Sequence, residues 1–149
     1  MAVRVRPIER DDVVSAVEVM LQGSFTPESE DADDVDAYWE AVEETRRRRG
    51  DVLVAELDGE VVGVVQVMIF RHFQHSGGWC AELESVYVRG DMRSRGVGAS
   101  MLEGAEQLAR ATGCYRVQLT SRNVREDAHR FYRMNGYDQN SQGFKKALN

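Results

Sequence analysis

Only two cysteines, Cys80 and Cys114, and two prolines, Pro7 and Pro27, occur in 149 residues. Two isolated cysteines with no CxxC pair exclude a disulfide scaffold, and a reducing cytoplasm is the expected home. No run approaches the roughly 18 apolar residues of a membrane-crossing helix. The opening MAVRVRPIERDD is strand-like and then charged, unlike a secretory signal. Histidine is nearly as scarce, with three in the chain. His72 and His75 share a glycine-containing loop, but no second cluster of Cys, His or acid completes a ligand set, so no bound metal is expected. Positive charge is also short, with 19 Lys and Arg against 25 Asp and Glu and a net charge of −6. So acidic a chain is a poor partner for nucleic acid.

What is present belongs to one globular domain over residues 1–149, with 42% hydrophobic and 30% charged residues. Charge is unevenly spread, since nine acids lie between Glu28 and Glu44. Val3 and Val5 alternate with arginines as a short strand, and Asp11-Asp12 head a first helix through Leu21. The acidic stretch Glu28 to Glu44 reads as a second helix, with Val35, Tyr38, Trp39 and Val42 inward and arginines 46–49 in its last turn. DVLVAEL and EVVGVVQVMIF flank Asp58-Gly59, a hairpin signal, and Gly63 marks a bulge or a close approach. Trp79 to Val88 is the next strand. Glu82 and Glu84 share sequence parity with Val86 and Val88, which would set two acids on an inward face. A helix from Val97 that ends at Thr112-Gly113 follows, with Gly104 explained by close packing on the sheet, and then a strand from Tyr115 to Thr120. Asn123 with Glu126 resembles a capping box for a helix carrying Phe131 and Tyr132. Tyr137–Asp138 and Gly143–Leu148 are expected as one last hairpin or a pair of late strands.

The densest signal is Arg93-Ser94-Arg95-Gly96-Val97-Gly98, where two arginines and two glycines stand at a helix head. Bare amides, a positive helix end and room for close approach define an anion site, best suited to phosphate. A dinucleotide fingerprint fails because GxGxxG meets Met101 and no ribose acid is placed. A P-loop fails because no Gly-Lys occurs.

Arg93 followed three and five residues later by Gly96 and Gly98 resembles the pyrophosphate-binding motif of the GNAT N-acetyltransferase superfamily. Leu83 to Val88 resembles its fourth strand, and Asp127-Ala128-His129-Arg130-Phe131-Tyr132 through Gly136-Tyr137 resembles its fourth-helix segment. The tail is similar to members acting on small amines of the aminoalkylphosphonate and aminoglycoside type. The resemblance implies an α/β (α+β) GNAT fold. It is a central mixed, mostly antiparallel twisted sheet, splayed between strands 4 and 5 and flanked by about four helices.

It also implies that acetyl-CoA donates an acetyl group to a primary amine of a small molecule by direct attack in a ternary complex, with coenzyme A as product. Backbone groups of Val86, Tyr87 and Val88 would meet the pantetheine arm and the thioester carbonyl. Arg93, Ser94, Arg95, Gly96, Val97 and Gly98 would hold the pyrophosphate. Tyr132 would protonate the leaving thiolate, and Glu84, with Glu82 as the same-face alternative, would serve as base; His72 and His75 are further candidates. The family's cofactor-facing asparagine, three residues before Ala128, is replaced here by Arg125. Asn123 then reads either as a helix cap, with Arg122 or Arg125 meeting phosphates, or as a cofactor contact beside Arg125 and Ala128. The acids of the second helix favour a cationic amine, whereas a phosphonate would need Arg71 or another cation. Edge strands of this kind support homodimers in the family. The alternatives are a noncatalytic acyl-CoA-binding regulatory or interaction module, and an enzyme acting on protein or peptide amines.

Overall fold

The computed structural model describes residues 2–149. The chain falls into two compact units, the first running to Gln118 and the second Leu119–Asn149.

The first unit is built on a sheet in the order β1-β2-β3-β4-β5. The strands are β1 (Arg4–Pro7), β2 (Asp51–Leu57), β3 (Glu60–Arg71), β4 (Trp79–Val88) and β5 (Cys114–Leu119). The first three ladders are antiparallel. Asp58 and Gly59 both take positive φ, 52° and 79°, the pairing that closes a two-residue hairpin without splaying its strands. β2 and β3 are buried on both faces because helices cover each side.

On one face lies α4 (Val97–Ala111), with Val97, Met101, Leu102 and Ala105 no more than 1% exposed. Two glycines allow this fit. A Cβ on Gly63 would sit 2.6 Å from Met101 Sδ, and one on Gly104 would sit 2.8 Å from Val5 Cγ1. Gly63 thus serves close approach, and the β2–β3 register also shifts beside it, between Ala55 and Glu56.

On the other face lie α1 (Val13–Gly23) and α2 (Val35–Arg47), packed on Ile8, Val54 and Val64. The acidic stretch is not helical from Glu28. Pro27–Ser29 forms a 3-10 turn, and α2 starts only after Asp34, whose carboxylate accepts from Ala37 N at 3.3 Å. Pro27 and a capping aspartate thus divide what the acid count presents as one element. At the far end of α2, Arg47 and Arg48 both bind Glu44.

Arg71 to Gly78 is more ordered than a polar loop. A one-turn segment α3 (Gln74–Gly77) holds His75 and Ser76 in left-handed conformations, and His72 N donates to Gly78 O at 2.8 Å.

The second unit contains α5 (Glu126–Met134), whose half-buried face is Ala128, Phe131 and Tyr132. Asn123 does not cap it. Arg125 N donates to Arg122 O at 3.0 Å, closing a turn that delays the helix and leaves Arg125 at the N-cap without a side-chain cap bond. Among the described residues, none of 135–149 is helix or strand, so the late strands do not form; Phe144 and Leu148 are exposed and gain nothing by alternation. No helix among the described residues is long and apolar enough to cross a membrane.

Candidate active site

The backbone of β4 sets the site. Val64 stands opposite Tyr87, and Gln66 stands opposite Glu84. Val65 alone therefore faces both Ser85 and Val86, which is a β-bulge. Ser85 absorbs the extra residue in the left-handed region at φ 54°, an uncommon place for a non-glycine residue.

The bulge overturns the parity reading. Glu84 pairs with Gln66, on the α1/α2 side with Val52, whereas Val88 pairs with Gly63, on the α4 side against Met101. Glu82 and Glu84 thus share a face with each other and with Tyr87, but not with Val88. Their surroundings differ. Glu82 Oε1 accepts from Gln118 Nε2 on β5 at 2.9 Å, and Glu84 is exposed.

Beside the bulge, beneath α1 and α2, opens a cavity of about 210 Å³. Ser85 and Gln66 form its sheet side, Val17 and Met20 come from α1, and Tyr38 and Ala41 come from α2. Tyr38 Oη donates to Glu30 Oε1 and accepts from Asp31 N, each at 2.9 Å. Burial, chiefly, pushes the Tyr38 phenol above its ordinary value. Gln66 Nε2 donates to Thr45 Oγ1 at 3.0 Å. The sequence reading missed this hollow, although Gln66 was a signal in the otherwise apolar stretch VVGVVQVMIF.

After β4 the chain turns into the head of α4. Arg93 Nε donates to Val88 O at 3.4 Å, Ser94 has φ 62°, and Gly96 is the N-cap at φ 83°. A Cβ on Gly96 would have no atom within 4 Å, so space outside the turn is open. The first amides of α4 have no acceptor within the helix, and Gly96 offers no capping side chain. Fixed donors, a positive helix end and open approach fit a pyrophosphate. One sequence segment thus places Glu84, Val86 to Val88 and Arg93 to Gly98 in succession within the first unit.

In the second unit, Tyr132 packs edge-on to Tyr137 at 6.0 Å and beside Phe131 at 5.3 Å between ring centres. Tyr137 N donates to Tyr132 O at 3.0 Å, which ends α5. Asn123 is exposed, while Arg125 and Ala128 are half-buried.

The histidines and Arg71 lie elsewhere. His72 Nδ1 bonds the Tyr115 hydroxyl, and His75 lies against the same ring at 4.7 Å. Arg71 Nε donates to Gly77 O at 2.6 Å and its guanidinium lies over Trp79. Because Arg71 pairs with Trp79 at the start of β4, this cluster is about 20 Å from the bulge at about 3.3 Å per residue. It supplies neither a base nor a phosphonate-binding cation to the hollow.

Residues 15–137 match the acetyltransferase (GNAT) family. The chain belongs to that family. The aminoalkylphosphonate N-acetyltransferase of Salmonella typhimurium is 37% identical over 91 residues, which cover 61% of this chain and 58% of that protein. A crystal structure described as a transcriptional regulator from Bacillus halodurans has a TM-score of 0.89 at 26% identity, covering 99% of this chain and 100% of the other. Glucosamine-6-phosphate N-acetyltransferase from Arabidopsis thaliana shares the fold, with a TM-score of 0.81 at 21% identity, over 100% of both chains.

Proposed function

We propose that this protein transfers the acetyl group of acetyl-CoA to a primary amine of a small molecule. The observation that carries the reading is the Ser85–Val86 bulge. It breaks the β3–β4 ladder between an exposed carboxylate, Glu84, and the open turn at Gly96. Family membership and the Salmonella enzyme's name point the same way. Acetyl-CoA supplies an acetyl group activated as a thioester. The turn from Arg93 to Gly98 and the first amides of α4 hold its pyrophosphate, and Arg125 in the second unit is a further cation for its phosphates.

Main-chain N–H groups at Val86 to Val88 are the donors for the thioester carbonyl, strongest in effect where negative charge develops. Glu84 attracts the ammonium and takes its proton, directly or through water, and the freed amine attacks the carbonyl carbon. As the intermediate collapses the C–S bond breaks, Tyr132 gives its proton to the departing sulfur, and the second proton shed by the nitrogen restores the phenol. The products are the N-acetyl amine and the free thiol of coenzyme A, with the ammonium's first proton passing from Glu84 to solvent. Glu82, whose carboxylate accepts from Gln118 on β5, is the same-face alternative. Neither cysteine is needed: the Cys80 thiol is pushed up chiefly by burial, which disfavours the nucleophilic thiolate.

Free-thiol release with acetyl-CoA and a panel of amines tests the reading. Tyr132→Phe is expected to cut kcat at least about tenfold with acetyl-CoA affinity retained. Glu84→Gln should lower the rate more than Glu82→Gln. A second reading, a noncatalytic acyl-CoA sensor, is favoured by the likeness to a protein described as a transcriptional regulator. Acetyl-CoA binding without turnover on any amine would select it, and failure to bind acetyl-CoA would remove both.

A further inference from the structure

We infer that the acceptor carries a single amine on an apolar body, an aryl or branched alkyl group, that fills the hollow beneath α1 and α2 while the amine stays at the Ser85 bulge. This rests on the acetyl-transfer reading and names its substrate class. The hollow measures about 210 Å³, and nine of its thirteen lining residues are apolar. An apolar cavity of about 150 Å³ holds benzene, so a ring with a short linker fits.

Three of the four polar side chains on the wall are already engaged, Ser85 at the bulge being the exception. Tyr38 is tied to Glu30 and Asp31, and the Gln66 amide group donates to Thr45. A polyhydroxylated body would exchange water for few donors or acceptors and lose on entry. No Lys, Arg or His lines the hollow among the described residues, so a phosphonate would enter without a counter-ion. On α2, Arg46 is not part of the lining and is held by Asp51 at 2.8 Å and the Ile8 carbonyl at 2.7 Å. A second ammonium fares no better, because the one carboxylate on the wall, Glu30, already accepts from Tyr38. The single ammonium instead meets Glu84, which adjoins Ser85 and stands opposite Gln66 at the edge of the hollow. The acids of α2 that face solvent then gather cations without selecting among them.

The test is a titration of the methyl-labelled full chain, without acetyl-CoA, using 2-phenylethylamine, 2-aminoethylphosphonate and spermidine. The expected result is a saturable shift of the Val17, Met20 and Val42 methyl signals with 2-phenylethylamine alone. Ala41→Phe, and the milder Ala41→Leu, should weaken that binding about tenfold by occupying the hollow, with acetyl-CoA affinity unchanged. Silent methyls with 2-phenylethylamine, or an equal response to the two charged probes, would overturn the inference. Turnover separates the two proposals: fastest acetylation of 2-aminoethylphosphonate or spermidine would overturn the apolar acceptor and leave acetyl transfer standing. Methyl shifts in a protein that does not bind acetyl-CoA would uphold the apolar-amine site and remove the transfer reading.

Discussion

The two faces of the sheet are closed by different means. Beneath α4 the contact is apolar and tight enough that glycine is required at positions 63 and 104. Beneath α1 and α2 a hollow remains, and the helices around it are tied by polar bonds. Arg6 on β1 bridges Asp12 at 2.7 Å and Glu56 at 2.9 Å. Arg46 reaches Asp51 and the Ile8 carbonyl, and Gln66 holds Thr45. Close packing is the larger source of stability, so a chain that leaves one face unfilled must secure that layer otherwise. The lesson is one of division: the filled face holds the fold, and the other keeps an open volume inside a layer secured by polar bonds.

Substitutions can break or sharpen this contrast. Gly104→Val, which drives a branched side chain into Val5, should destabilise by about 2 kcal/mol in a denaturant titration. A loss below a few tenths would show that the α4 face has slack. A smaller effect, about 1 kcal/mol after allowance for partial solvent contact, is expected for Asp12→Asn.

The Asp12 carboxyl is held below its ordinary value, first by the Arg6 hydrogen bond, opposed by burial and aided by Glu9 N. Its contribution is therefore complete above the unfolded-state carboxylate pKa and is lost as pH falls below about 4 through the lowered folded-state value. Amide exchange should show α1 loosening before α4 under acid, and Asp12→Asn should remove that difference. The smallest effect belongs to Ala41→Leu, which adds carbon to the hollow and should change stability by no more than about 0.5 kcal/mol, in contrast to Gly104→Val.

Much of this architecture was legible in the residues. The Asp58–Gly59 hairpin, the α4 stripe and the close approach at Gly104 each follow from a local pattern that tertiary packing reinforces. The head of α4 was legible because glycine, arginine and helix polarity act together within six residues. The bulge was not legible. A left-handed residue is usually announced by glycine or asparagine, and here it is Ser85, so counting parity along β4 assigned Val88 to the wrong face. Asn123 misled for a related reason: a good capping side chain is not used when a turn at Arg122–Arg125 takes the backbone first. The hollow was illegible in principle, because periodicity marks which residues turn inward and not whether their volumes fill the space.

The two tryptophans give the contrast an optical form. Trp39 packs on the α1/α2 cluster with Arg46 over its ring at 5.2 Å. Trp79, at the start of β4, lies under Arg49 at 4.2 Å, and Arg49 is itself anchored on the Thr112 carbonyl at 2.8 Å. Excitation of the indoles therefore reads two separate neighbourhoods. With Trp79→Phe the emission belongs to Trp39 alone, and the colour of that light becomes a dye-free gauge of how wet or dry the α1/α2 layer is.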